Sequence, residues 1–156
     1  MRVLLSLFFA AGVASMVACS TEQSTGPEQV RWDRETCTRC NMSVGDRNYA
    51  AQVRGAKAGE KTKVYKFDDI GCAVIWLQDK EWKDDARTEI WVTDFTNGQW
   101  IDAHKANYIP DKLTPMNYGL GAQGEAAEDA LDFTQAIEHI MLSEKEKHQH
   151  GGHHHH

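Results

Sequence analysis

Residues Met1 to Ala18 constrain this chain most, because they set where its foldable part begins. Arg2 supplies a positive start and Val3 to Val17 is mostly apolar. Met16-Val17-Ala18-Cys19 then supplies a cleavage context, and together these have the pattern of a secretory signal. The apolar run is short for a membrane span, which takes about 20 apolar residues. Small residues before Cys19 and Ser20 after it have the form of a bacterial lipobox, in which the cysteine is acylated and becomes the mature N-terminus. The competing reading is a plain signal cut near Ala18. The lipobox reading puts the protein on a lipid anchor, a palmitate-type attachment at Cys19, in the cell envelope. It would face the periplasm, with the outer membrane as the expected site.

Ser20 to Gln29 is rich in Ser, Thr, Glu, Gln, Gly and Pro and has no apolar periodicity, so residues 19–30 read as a flexible tether. Residues 31–143 are enough for one compact domain with its own core. Residues 144–156 are charged and then histidine-rich. His148, His150 and His153 to His156 fit a metal-scavenging tract, while the terminal run also fits an expression tag. The net charge of −6 and the lack of a basic stripe exclude a nucleic-acid surface, which needs clustered Lys and Arg.

Setting Cys19 aside leaves Cys37, Cys40 and Cys72, an odd number of thiols for an exported protein. At least one cysteine is then expected to stay reduced for metal or redox work. Cys37-Thr38-Arg39-Cys40-Asn41-Met42 puts a thiol and a thioether two residues apart, and sulfur donors select soft ions, above all Cu(I). On extended backbone, alternation would send Cys40 and Met42 to one face. Two other readings stand beside this one: a Cys37–Cys40 disulfide, and Met42 as core filling. A zinc site wants four Cys or His ligands, usually from paired clusters, and one cysteine pair is present.

The hydropathy pattern predicts an α+β domain. Tyr49 to Arg54 and Lys63 to Phe67 read as a hairpin around the Gly/Lys-rich turn of residues 55–63. Asp68 and Asp69 can cap a helix whose apolar positions Ile70, Ala73, Val74 and Leu77 follow helical spacing to about Lys80. Cys72 reads as core on that helix. Glu89 to Phe95 and Gln99 to Ala103 read as strands across the turn pair Asn97-Gly98. Ala106 to Ile109 either extends or follows the second of them, and Pro110 interrupts. Thr114 to Ala122 reads as a strand entered from a loop, its glycines allowing close backbone approach. Asp132-Phe133-Thr134-Gln135 has the form of a capping box, opening a helix to about Ser143. The two halves thus read as related strand-strand-helix-strand units.

With these segments in order, the chain resembles the NosL-type copper lipoproteins associated with nitrous oxide reductase maturation. The resemblance is carried by the lipobox at Cys19, the Cys37-x-x-Cys40-x-Met42 cluster and Tyr65-Lys66-Phe67-Asp68-Asp69-Ile70-Gly71-Cys72. It continues through Trp100-Ile101-Asp102-Ala103, Ala106-Asn107-Tyr108-Ile109 and Thr114-Pro115-Met116. It implies a lipid-tethered Cu(I) metallochaperone that delivers copper to an exported cuproenzyme, nitrous oxide reductase, and performs no turnover. Carried over by position, the copper ligands would be Cys40, Met42 and Met116, with Cys37 and His104 as further candidates. Asn41 stands where the family usually has glycine, and asparagine tolerates left-handed backbone better than most residues. The competing function is a thiol-disulfide oxidoreductase using Cys37 and Cys40. Such motifs draw reactivity from a helix N-terminus, and the run from Asn41 to Gly45 makes a poor helix start.

Overall fold

A computed structural model describes residues 24–151. The expected leader, Cys19, the first part of the tether and His153 to His156 lie outside the described residues. The domain is α+β, as the pattern predicts: a four-stranded antiparallel sheet, a two-stranded one and two helices. Among the described residues no helix is long and apolar enough to cross a membrane.

The central strand, β1 (Ala51–Gly55), pairs with β2 (Lys63–Phe67) on one side, Ala51 opposite Phe67, and with β3 (Glu89–Thr93) on the other. A second hairpin adds β4 (Trp100–Asp102) beyond β3, giving the order β2-β1-β3-β4. Its turn rests on Gly98 at φ 73°, whose N–H donates to Asp94 O at 2.7 Å. Every residue of β1 is buried. Alternation divides them: Ala51 and Val53 join the core with α1 (Ile70–Gln78), while Gln52 and Arg54 lie on the opposite face.

Those two buried polar side chains are satisfied by the chain leading into the domain. Glu28 N–H donates to Gln52 Oε1 and Gln52 Nε2 to Glu28 O, both at 2.7 Å. Arg54 donates to Gly26 O at 3.0 and 3.1 Å and to Ser24 Oγ at 3.0 Å. The folded body therefore reaches back to Ser24, into the segment that composition alone marks as tether. Buried polar groups need such partners, and hydrophobicity patterns do not register them.

Two segments differ from the expected pattern. Residues 114–119 form a turn rather than a strand, because Thr114 Oγ1 accepts from the N–H groups of Tyr118 (3.1 Å) and Gly119 (3.4 Å). Such side-chain bonds compete with extended backbone. The strand is only β6 (Gly121–Gln123), which pairs with β5 (Asn107–Ile109) in the small sheet. The helix α2 (Phe133–Gly151) runs well past Ser143. Residues 144–149 are good helix formers with no glycine before Gly151, and Glu144 holds His148 one turn on at 3.2 Å. The second half therefore reads β5-β6-α2 with no strand after its helix among the described residues, whereas the first half has the expected β1-β2-α1-β3 order.

The capping box is present in full: Asp132 N–H donates to Gln135 Oε1 and Gln135 N–H to Asp132 Oδ1, each at 2.9 Å. Asp132→Ala should lower unfolding stability by about 1 kcal/mol. Denaturant titration checks this, and an unchanged midpoint would remove the box from the account of α2.

Candidate metal centre

Cys37 and Cys40 sit in a narrow loop closed by backbone pairing. Val44 N–H donates to Glu35 O at 2.9 Å, Cys37 N–H to Met42 O at 2.8 Å and Asn41 N–H to Cys37 O at 3.0 Å. Asn41 takes a left-handed conformation, φ 62°, so the position that departs from the expected glycine adopts the backbone glycine would favour. Cys40 closes a turn there. Alternation along extended backbone is thus not what relates it to Met42. Thr38 N–H donates to Lys66 O at 2.8 Å, pinning the loop to β2. At its base Lys66 Nζ holds both Glu35 oxygens at 2.9 Å.

The other side of the centre comes from the junction of β2 and α1. Asp69 is the helix cap, its Oδ1 accepting from Gly71 N–H at 2.8 Å. Burial pushes its carboxyl group up in pKa, against hydrogen bonds from Thr114, Gly71 and Met116. With Asp69 as the cap, Asp68 is left for other work. Its Oδ2 accepts from the Cys40 thiol at 3.3 Å, and its Oδ1 is buried with no hydrogen-bond partner. Cys72 follows in the first turn of α1, fully buried.

These elements bring together the sulfurs of Cys37, Cys40 and Cys72 and a carboxylate oxygen of Asp68, all within 4.8 Å of one another. All three cysteines are free thiols, so Cys37 and Cys40 are not paired in a disulfide. The thiols are electrostatically unequal. Cys37 is lowered to about 6 by the Cys72 thiol donating to it, against burial and with help from the Cys40 and Asp68 amides. Cys40 is raised to about 11, chiefly by burial, although the Met42 amide works the other way. Cys72 is raised by its bond to Cys37 and by burial. Among the three thiols, negative charge therefore collects on Cys37 while Cys40 and Cys72 keep their protons.

The Arg39 cation faces the cluster. Arg39 Nη1 lies 3.9 Å from Cys72 Sγ and 3.1 Å from the Tyr118 hydroxyl, and its other nitrogen pairs with Glu144 of α2. Tyr118 OH donates to Glu144 Oε2 at 2.6 Å, and Lys147 Nζ sits 3.4 Å from the centre of the Tyr118 ring. The extended part of α2 thus closes over the thiol side of the centre.

Of the residues expected from sequence, Cys40 is half-buried in the cluster and Met42 beside it is 52% exposed. Met116 packs partly buried against the core. Its N–H donates to Asp69 Oδ2 at 3.2 Å and its carbonyl accepts from Lys147 at 2.7 Å. That places the Met116 backbone at the end of α1 that carries Asp68 and Cys72. Cys37 belongs to the cluster. His104 is exposed on the turn after β4 with its ring against Phe133 at 4.4 Å, and it is not among the clustered donors. Sequence reasoning assigned Cys72 to the core and Asp68 to capping. The odd thiol count was a signal for the first, and the presence of two acids where one cap suffices was a signal for the second.

The family model described as NosL matches residues 30–149. Comparison with curated proteins finds no match. Among solved structures, the crystal structure of the copper chaperone NosL from Shewanella denitrificans is similar, with a TM-score of 0.50 and 15% identity. The match covers 76% of this chain and 89% of that one. At that identity the likeness speaks for the fold.

Proposed function

This chain belongs to the NosL family, and on that premise we propose that it is a Cu(I)-binding metallochaperone, not an enzyme. Its recipient would be an exported cuproenzyme, nitrous oxide reductase, and Cys19 would tether it to the membrane. The single observation that carries the metal reading is the gathering of three free thiols around one point, with Cys40 partly open to solvent. Thiolates and thioethers select Cu(I). Cys40 is the pivotal ligand. Met42, exposed beside it, and Met116, held at the same helix end, would supply thioether donors, with the Cys37 and Cys72 thiols behind. A low-coordinate sulfur site of this kind can pass its ion to a partner by stepwise exchange of one sulfur for another, starting at the exposed methionine.

Met42→Leu tests the thioether part. Leucine has nearly the volume of methionine, so stability should change by less than about 1.5 kcal/mol. Cu(I) affinity should fall by at least the roughly tenfold that losing a hydrogen-bonding support behind a ligand already costs. Competition against a Cu(I) chelator measures it, and unchanged affinity would strike Met42 from the ligand set.

The unequal thiols give the copper reading a pH dependence. Near neutral pH Cys37, lowered to about 6, is charged, while Cys40, raised to about 11, is protonated. A metal must then displace the Cys40 proton, so apparent affinity should rise with pH by about tenfold per unit for each proton released. Below the Cys37 value its proton must leave too, and the slope steepens. A flat profile across neutral pH would contradict the assignment of Cys40.

The oxidoreductase reading fares less well on the same geometry. The thiol with the lowered pKa, Cys37, is fully buried in a loop, whereas a reactive redox cysteine must be reachable by a substrate disulfide. Catalysed disulfide exchange that is lost in both Cys37→Ser and Cys40→Ser would restore it.

A further inference from the structure

We propose that the cleft between Trp32, Arg47 and Trp100 is a docking site for the zwitterionic headgroup of a membrane phospholipid, and that it holds the domain against the bilayer its anchor enters. The choice of a membrane lipid rests on the reading of Cys19 as acylated. The metal plays no part in it.

The position of the cleft follows from the sheet. Cross-strand partners share a face, so the pairings of Gln52 with Trp91 and of Thr93 with Trp100 put Trp100 on the face that Gln52 and Arg54 occupy, away from α1. Ser24 to Glu28 crosses that face, bonded to Gln52, to Arg54 and, through the Gly26 N–H at 2.6 Å, to Glu89. Where the segment runs on towards Trp32, a cleft of about 750 Å³ separates it from the Asn97-Gly98 turn, lined by Pro27, Glu28, Trp32, Arg47, Asn48 and Trp100 among others.

The lining has the chemistry of a headgroup layer. Trp32 and Trp100 are half-buried, and indole rings favour the membrane–water interface because they join an apolar body to a polar edge. The Arg47 guanidinium lies over the Trp32 ring, 5.3 Å from its centre. It is exposed and pairs with no carboxylate among the described residues. Glu28 is 53% exposed and shares its carboxylate with Arg54 at 3.5 Å. Arg47 can take the phosphate of a headgroup, and Glu28 or an indole face its ammonium. Charges of both signs around one cleft suit a zwitterion better than a simple anion.

The tether fixes which face meets the bilayer. Four residues separate Cys19 from Ser24. An extended chain covers at most about 3.6 Å per residue, so an acylated Cys19 lies within about 18 Å of Ser24. The described residues form a body with a radius of gyration of about 14 Å, too wide for so short a tether to pass around. Pro27 and Glu28, three and four residues beyond Ser24, already line the cleft. The copper loop leads away from it: its backbone pairing runs from Asp33 with Val44 to Cys37 with Met42, so Trp32 lies at the open end and Cys40 at the closed one. A headgroup held at the first leaves Cys40 and Met42 free for a partner.

The test is titration of the full-length Cys19→Ser protein with dihexanoylphosphatidylethanolamine below its micelle concentration, read by NMR on the tryptophan indole N–H signals. The Trp32 and Trp100 signals should move saturably, while those of Trp76 and Trp82, which pack with Tyr65, stay in place. Arg47→Gln should weaken the lipid by roughly two- to fivefold, the worth of one exposed ion pair, and should leave Cu(I) affinity unchanged. In the acylated protein, vesicles of brominated phosphatidylethanolamine should quench tryptophan emission, and at least half of that quenching should vanish in the Trp32→Phe/Trp100→Phe double variant. Lipid that moves neither signal overturns the inference, and so does lipid binding that Arg47→Gln and Trp100→Phe both leave unchanged. Equal shifts with inorganic phosphate would make the cleft an anion site and overturn it as well. Mass spectrometry of the membrane-extracted protein separates the two readings. Shifts at Trp32 and Trp100 with an unacylated Cys19 would keep the headgroup site and remove the tether, whereas an acylated Cys19 with neither shifts nor quenching would keep the tether and remove the site.

Discussion

Cys40→Ser should abolish tight Cu(I) binding, lowering affinity by about a hundredfold or more, while the protein stays folded. Cys40 is the one thiol of the cluster with solvent access, and it is the point at which buried thiols and the exposed Met42 meet. Serine keeps the size of the side chain and replaces a soft donor with a hard one, which Cu(I) does not select. The structural loss is one sulfur-to-carboxylate contact at 3.3 Å at a half-buried position. Far-ultraviolet circular dichroism and the melting temperature separate loss of fold from loss of ligand. Chelator competition reads the affinity, and retention within a few-fold would show that copper, if bound, is held elsewhere.

A comparably large effect, on the fold this time, is expected from Gly71→Ala. Gly71 is the second residue of α1, and a Cβ built on it would lie 2.1 Å from Tyr118 Cδ2 and 2.3 Å from Cγ. That ring cannot easily give way. It is 1% exposed, its hydroxyl binds Arg39 and Glu144, and Lys147 covers its face. Adding one methyl group therefore forces apart the helix start and the loop that carries Met116. Overpacking of this kind costs about 1–3 kcal/mol. For a domain of this size each kcal/mol lowers the melting temperature by roughly 3–5 °C. Copper affinity should fall as well, because the shift separates Met116 from the end of α1 that bears Cys72. A melting temperature within about 2 °C of wild type would show that the ring relaxes freely and would remove this packing from the account of how the site is held.

What could be read from the residues was local. The β1–β2 hairpin, the Asp69 cap, the Asn97-Gly98 turn and the Asp132/Gln135 box each depend on a few neighbouring side chains, and each stands in the structure. The thiol cluster was half legible: Cys37 and Cys40 declare themselves by spacing. Asp68 and Cys72 join them only because β2 ends against the loop and α1 begins there, a long-range fact that no spacing encodes. The same holds for α2. Its apolar stripe ends near Ser143, but Arg39, Tyr118 and Met116 give Glu144 and Lys147 partners from distant segments, and the helix continues over the site. Ser24 to Glu28 reads as linker by composition and is ordered by Gln52 and Arg54, two polar residues buried in a central strand.

The central claim is that sulfur holds Cu(I) at Cys40. Anaerobic titration of the reduced protein with Cu(I), followed by X-ray absorption of the loaded sample, tests it most directly. The account predicts about one tightly held ion per chain with sulfur neighbours alone, the oxygen of Asp68 being left to harder cations. No Cu(I) binding by the reduced protein, or an ion coordinated mainly by nitrogen and oxygen, would contradict it.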